Sequence, residues 1–154
     1  MKITRHLTLA AIAAVLLFQA SVTMAAAEPP LRITFSKCFV PDDDNDYGGH
    51  YQGEVDGDLG QGTVSFYFDS LVEKPFGYRF SGKYTIKTVD HTGVAHTVTA
   101  FAAGIDNLQV RSGHDVLNGV VTNGDYVGAQ VKVRAEDYDN GNCSQGTITI
   151  TPSR

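Results

Sequence analysis

The sequence predicts an all-β protein, most simply a single antiparallel β-barrel of eight or nine short strands. Three features support this prediction. Apolar and polar residues alternate over short runs, and turn signals separate these runs about every 8–12 residues. No window after residue 27 shows a convincing helical period. Glycines recur inside the strand patterns, where they typically mark the bends that curl a sheet into a barrel. A β-sandwich is the alternative fold.

The first half of the domain contains four predicted strands. Residues 31–37 alternate apolar and polar side chains, as a half-buried strand does. The next strand begins near residue 49, and glycines recur along it and the turn that follows. These glycines are Gly49, Gly53, Gly57, Gly60 and Gly62. Residues 62–69 and 78–87 alternate again, and the segment 71–76 between them, which contains a proline, is predicted to be a loop.

The second half of the domain continues the same pattern. Its predicted strands cover residues 94–105, 108–110, 116–121, 126–135 and 146–151. Within the fourth of these, alternate residues from Val127 to Ala135 are apolar and are expected to face the core.

The N-terminal segment predicts export. Residues 1–6 are basic, residues 7–18 are mostly apolar and residues 25–27 are small, which are the three parts of a secretory signal peptide. A membrane anchor is the alternative, but the apolar run is short for a span of about 20 residues. We therefore expect residues 1–27 to be removed and residues 28–154 to form a secreted or periplasmic domain.

The charge of the chain argues against two classes of partner. The net charge is −5, and loss of Lys2 and Arg5 with the leader takes it to −7. A negative surface without a basic cluster does not suit nucleic acid or an anionic membrane. Neither partner is therefore expected.

The two cysteines are expected to form one disulfide. An exported domain with Cys38, Cys143 and no third cysteine favours a bridge over a thiolate site, because neither residue has ligand or catalytic partners at close spacing. The bridge would close most of the mature chain into one loop.

Two acidic segments flank the cysteines and suggest calcium. Residues 42–46 follow Cys38 and residues 136–142 precede Cys143, so a bridge would bring the segments together. The first segment fits a calcium-loop spacing, D-x-[DN]-x-[DN]-G-x5-E, except for a tyrosine at the fifth position. The predicted ligands are Asp43, Asn45, Glu54, Asp137 and Asp139. The alternative is a pair of solvated loops that hold no ion.

Aromatic residues on the strands are candidates for a ligand cavity inside the barrel. They are Phe66, Phe68, Tyr78, Phe80, Tyr84 and Phe101. Phe66, Phe68, Phe80 and Tyr84 are the residues predicted to contact the ligand. The alternative is that all of them pack a filled core, because a barrel of about eight strands is almost filled by its own side chains.

Two glycine-rich stretches resemble small secreted barrels of the allene oxide cyclase and dirigent-like kind. Residues 53–60, Gly-Glu-Val-Asp-Gly-Asp-Leu-Gly, are similar to an early strand turn of that family. Residues 120–129 are similar to its hairpin in which an aromatic residue and Gly-Ala follow a glycine turn. The resemblance implies a barrel that holds an apolar or phenolic small molecule, and it carries no catalytic position across.

The sequence alone favours a binding function. No Gly-x-Ser-x-Gly elbow, phosphate-binding loop or Cys-His pair occurs, so no catalytic residue and no cofactor other than calcium is predicted. We expect a non-enzymatic barrel that binds a small apolar ligand or an extracellular partner. The alternatives are a cofactor-free enzyme of the cyclase or dirigent type, and a protein inhibitor or surface interaction module that acts through the acidic loops.

Overall fold

A computed structural model describes residues 28–107 and 114–153 of the chain, and these form a closed antiparallel β-barrel. The strands are β1 (Leu31–Pro41), β2 (Gly49–Gly57), β3 (Gln61–Lys74), β4 (Gly77–Val89), β5 (Ala95–Asn107), β6 (His114–Gly124), β7 (Gln130–Tyr138) and β8 (Cys143–Thr151). A single 3-10 turn, Asp139–Gly141, joins β7 to β8. The described chain has no helix that is long and apolar enough to cross a membrane.

Each strand pairs with the next, and β8 returns to pair with β1. The register of this closing pair runs from Leu31 opposite Ile150 to Cys38 opposite Cys143. The opposed cysteines form the disulfide, with Cα atoms 4.0 Å apart. The predictions of an antiparallel barrel and of a Cys38–Cys143 bridge are therefore confirmed, and the sandwich alternative is wrong.

The two ends of the barrel differ. We call one end the mouth; it carries the connections 42–48, 75–76 and 139–142. The other end, the base, carries the turns 58–60, 90–94 and 125–129. Towards the base the interior is filled by aliphatic side chains, including Ile33, Val64, Val98, Val131, Val133, Ile148 and Ile150, all of them buried.

The prediction of a loop over residues 71–76 is wrong, because β3 continues to Lys74 and pairs with the start of β4. A β-bulge at Asp69 explains the error, since the register shifts between Phe68 and Ser70. An extra residue on one strand breaks the period-2 pattern from which strands are read. After the bulge, Leu71 lies opposite the buried Phe80 at the mouth.

The predicted strand over 126–135 begins later than expected, at Gln130. Tyr126 and Gly128 have positive φ angles of 63° and 86°, so residues 125–129 form a turn and Val127 is exposed. The apolar alternation is confirmed from Ala129 to Ala135. The predicted strand over 108–110 lies outside the described residues, as does the predicted leader 1–27.

Glycine in β2 permits a close approach of two backbones. A Cβ atom at Gly53 would overlap the carbonyl oxygen of Ser36 and lie 2.5 Å from the Cα of Lys37. Only glycine therefore fits where β2 crosses β1 beside Lys37. At Gly53 the pairing register of β1 and β2 is uninterrupted, so this glycine marks a close approach rather than a bulge.

Candidate functional site

A cavity of about 410 Å³ lies inside the mouth of the barrel. Residues from all eight strands or their adjoining loops border it, including Tyr47 in the connection 42–48 and Asn140 in the 3-10 turn. The second acidic segment, residues 136–142, thus reaches the rim of this cavity, whereas the first, residues 42–46, ends next to Tyr47. Larger depressions elsewhere are lined mainly by residues on the outer face of the barrel, such as Arg32 and Lys132.

The first side of the cavity is an aromatic wall formed by Tyr51, Phe66, Phe68, Tyr78 and Phe80. These residues lie on β2, β3 and β4, where alternate positions point inward. The centroid of the Phe66 ring lies 5.0 Å from that of Phe68 and 5.9 Å from that of Phe80, in edge-to-face contacts. Such contacts fix the rings in place, so the wall is preformed.

The predicted cavity residues fall into two groups. Phe66, Phe68 and Phe80 border the cavity, whereas Tyr84 is fully buried beneath it and packs on Phe66 with ring centroids 4.6 Å apart. Phe101 points out of the barrel and is 40% exposed, so its assignment to the cavity was wrong. The inward positions of β5 carry small residues instead, and these lie opposite the large rings of β4. Examples are Ala100 opposite Tyr84 and Gly104 opposite Phe80.

The second side of the cavity is an acidic wall formed by Asp106, Asp115 and Asp137 on β5, β6 and β7. One carboxylate oxygen from each lies within 4.8 Å of the others. Asp115 is only 8% exposed. In the part of the chain that the structure describes, these three side chains are the one group of acidic, histidine or cysteine residues close enough to share a metal ion.

Lys37 lies inside the barrel on β1, between the two walls. It is 3% exposed, and its Nζ lies 4.3 Å from the ring centroid of Tyr51 and 5.2 Å from that of Phe66. None of the ion pairs within the described residues includes Lys37. Burial lowers the pKa of Lys37 to about 8, although the charges of Asp115 and Asp137 act in the opposite direction.

The carboxyl groups of the acidic wall have raised pKa values, and those of Asp115 and Asp106 titrate close to neutral pH. Burial, followed by the charge of Asp137, raises the pKa of Asp115 to about 7, while Lys37 opposes the rise. Burial and Asp137 raise the pKa of Asp106 to about 6. The pKa of Asp137 is also raised, mainly by burial. Asp115 and Asp106 therefore retain protons at pH values where an exposed aspartate is fully ionised.

Two buried oxygen atoms at this wall have no hydrogen-bond partner among the described residues. They are Oδ1 of Asp106 and Oγ of Ser144. Ser144 is 1% exposed, borders the cavity, and lies between Lys37 and Asp137 in the strand register. Buried polar atoms are nearly always paired, so a molecule with hydrogen-bonding groups fits this part of the cavity.

The predicted calcium ligands are not brought together. Asp43 is exposed in the mouth connection, and Oδ1 of Asn45 accepts a hydrogen bond from the Tyr47 backbone at 2.9 Å. Glu54 is on the outer face of β2, whereas Asp137 faces the cavity, so the barrel wall lies between them. Asp139 is exposed in the 3-10 turn. Only Asp137 belongs to a cluster of carboxylates.

Sequence reasoning missed Lys37, Asp106 and Asp115, although a signal for them exists. Each is in phase with the buried apolar residues of its strand, as Lys37 is with Ile33 and Phe35. A charged residue in phase with an apolar face indicates an interior charge rather than a surface one.

Comparison of the chain with protein-family models, with curated proteins and with solved structures finds no match. The resemblance to allene oxide cyclase and dirigent-like barrels therefore stays a prediction.

Proposed function

We propose that this protein is a binding barrel that takes a small molecule into its mouth, with the apolar body of that molecule against the aromatic wall. The observation that carries this proposal is the preformed cavity of about 410 Å³, one side of which is the aromatic wall. Ligand cavities in proteins measure about 300–1,000 Å³ and combine an apolar lining with a few polar groups.

The contrast between mouth and base supports a ligand site. Small eight-stranded barrels are either filled by their side chains or hold one small ligand. Here the base is filled by buried aliphatic residues such as Ile148 and Ile150, and the cavity lies at the mouth. A ligand can therefore enter from one end and rest on a packed floor that includes Tyr84.

Binding of a neutral fluorescent probe, N-phenyl-1-naphthylamine, tests the proposal. We expect saturable binding, and we expect Phe68→Ala and Phe80→Ala each to weaken it about two- to tenfold, because an aromatic contact contributes about 0.5–1.5 kcal/mol. Phe101→Ala is the matched control, since it removes the same ring from the outer face. Absence of saturable binding, or equal effects of all three substitutions, would contradict the proposal.

A second candidate, a cofactor-free enzyme of the cyclase or dirigent type, is favoured by one observation. A carboxyl group with a pKa of about 7, as in Asp115, can both donate and accept a proton near neutral pH. Phenolic molecules that displace the probe would then be recovered chemically changed after incubation with the wild type, and unchanged after incubation with Asp115→Asn. Mass spectrometry makes the distinction, and recovery of every molecule unchanged leaves binding as the function.

We also propose that the protein acts outside the cytoplasm, as its disulfide and its basic, apolar and small-residue leader suggest. Mass spectrometry of the protein recovered from the periplasm or medium should give a chain that begins near residue 28. Recovery of the full chain in the cytoplasm with reduced cysteines would overturn the assignment.

A further inference from the structure

The negative charge of the mouth exceeds its positive charge. Three carboxyl groups, those of Asp106, Asp115 and Asp137, border the cavity, and Lys37 is the one cationic side chain among its lining residues. The three carboxylates lie within 4.8 Å of one another, and their closeness to each other opposes ionisation. A cation placed among them would relieve that repulsion.

The unpaired buried oxygens indicate what kind of group fits there. Oδ1 of Asp106 is an acceptor when ionised, and Oγ of Ser144 can donate or accept; both are buried without partners among the described residues. A primary ammonium group carries three N–H donors and one positive charge. It would supply the missing donors and the missing charge together.

The aromatic wall extends the argument to the rest of the ligand. The faces of aromatic rings attract cations, and the rings also pack against apolar groups. The Nζ of Lys37, which lies within 5.6 Å of four ring centroids, already uses this attraction. A bare metal ion would use the acidic wall alone, whereas an amine with an apolar body would use both walls of the one cavity.

We propose that the ligand of the mouth is an organic amine, whose ammonium group binds Asp106, Asp115 and Asp137 beside Ser144 and whose apolar or aromatic body packs against Phe66, Phe68 and Phe80. This inference rests on the proposed binding function and names the chemical class of the ligand. The acidic wall supplies selectivity for the charge, and the aromatic wall supplies apolar contact.

Competition between matched ligands for bound N-phenyl-1-naphthylamine tests the inference. 2-Phenylethylamine carries an ammonium group, and 2-phenylethanol is its neutral counterpart of the same shape. At about pH 8 most of Asp115 is ionised, and we expect the amine to displace the probe at a concentration about tenfold lower or more, as one charge-assisted contact predicts. Asp115→Asn should remove most of this preference, because it weakens displacement of the probe by the amine more than displacement by the alcohol.

Asp46→Asn is the control for net charge, because it removes the same charge from an exposed loop position outside the cavity and should preserve the preference. Equal displacement by the two ligands, or a preference that survives in Asp115→Asn, would overturn the inference.

The outcomes separate this inference from the function on which it rests. If 2-phenylethanol and 2-phenylethylamine bind equally and Phe68→Ala weakens both, the binding function stands and the amine assignment is wrong. If the probe itself does not bind, the binding function is wrong. Calcium chloride is a further arm: calcium binding that Asp115→Asn abolishes, together with equal binding of the two organic ligands, would replace the amine by a metal ion.

Discussion

The base and the mouth of this barrel are built from the same eight strands, but their carboxyl groups lie in different environments. At the base, His96 lies between two turn carboxylates, with Nε2 3.5 Å from Asp90 and Nδ1 3.3 Å from Asp125. Hydrogen bonds from Thr92 and Val94 lower the pKa of Asp90, so its charge is stabilised. At the mouth, burial and mutual repulsion raise the pKa values of Asp106 and Asp115.

This difference indicates the mouth as the region in which to test for a function. A barrel of this size can fill its interior with aliphatic side chains, and its base does so. The mouth instead keeps a cavity, a buried lysine and three crowded carboxyl groups, all of which cost folding free energy. Perturbed ionisation beside a cavity is typical of binding and catalytic sites.

The largest expected effect is that of the disulfide, which ties β1 to β8 at the mouth. It closes a loop with a sequence separation of 105 residues, and replacing both cysteines by alanine should lower the free energy of unfolding by about 2–5 kcal/mol. Urea unfolding measures the loss. Hydrogen exchange should rise more at the mouth ends of β1 and β8 than at their base ends; a uniform rise would contradict a local role.

Comparable in size is the effect of the packing of the base. Ile150 is completely buried, and Ile150→Ala should cost about 2–5 kcal/mol of unfolding free energy. Ile105→Ala is the control, because Ile105 is 54% exposed on the outer face near the mouth and should change stability by less than about 0.5 kcal/mol. Similar losses for the two substitutions in urea unfolding would remove the distinction between a packed base and the rest of the barrel.

The contrast between these regions also shows what a sequence can predict. The base could be predicted because alternate aliphatic residues, such as Val131 and Val133, directly indicate one buried face. The charged side of the mouth was missed, because a charged residue is ordinarily read as exposed, whereas Lys37 and Asp115 are buried. Their positions follow from the pleat, but their contacts depend on which strands meet when the barrel closes.

The bulge at Asp69 was hidden for a related reason. Nothing local distinguishes an extra residue from the end of a strand, so the mouth end of β3 was read as a loop. The cavity residues that follow from strict alternation, Phe66 and Phe68, precede the bulge, whereas Leu71 follows it and was missed.

A smaller effect concerns pH. The pKa of Asp115 is about 7 in the folded protein and about 4 in an unfolded chain, so its contribution to stability is complete below about pH 4 and is lost as the pH rises through 7. Asp106 acts in the same direction up to about pH 6. We expect the melting temperature of the wild type to fall between about pH 5 and 7.5, and Asp115→Asn to reduce this fall.

Differential scanning calorimetry of both proteins across that range measures the slope. Asn is a neutral counterpart of the protonated carboxyl group, so the variant should fold. Identical slopes for the wild type and Asp115→Asn would show that Asp115 does not titrate near neutral pH.

The smallest expected effect is that of calcium on the loop 42–48. Asp43, Asn45 and Glu54 do not converge on one point, so we expect no calcium binding at this loop. The melting temperature in about 1 mM calcium should therefore show no rise over that in EDTA that depends on Asp43. Thermal melting of Asp43→Asn and of the wild type, each with calcium and with EDTA, measures the contribution of this loop. A rise with calcium that Asp43→Asn abolishes would restore the loop as a calcium site.

The central claim is that the mouth, and not the base or the outer face, binds a small molecule. Backbone amide NMR spectra recorded during titration with 2-phenylethylamine test it most directly. We predict that shift changes cluster at Lys37, Phe68, Phe80, Asp115 and Ser144, with the base residues Ile33 and Ile150 unaffected. Shift changes spread over the outer face, or none at millimolar ligand, would contradict the account.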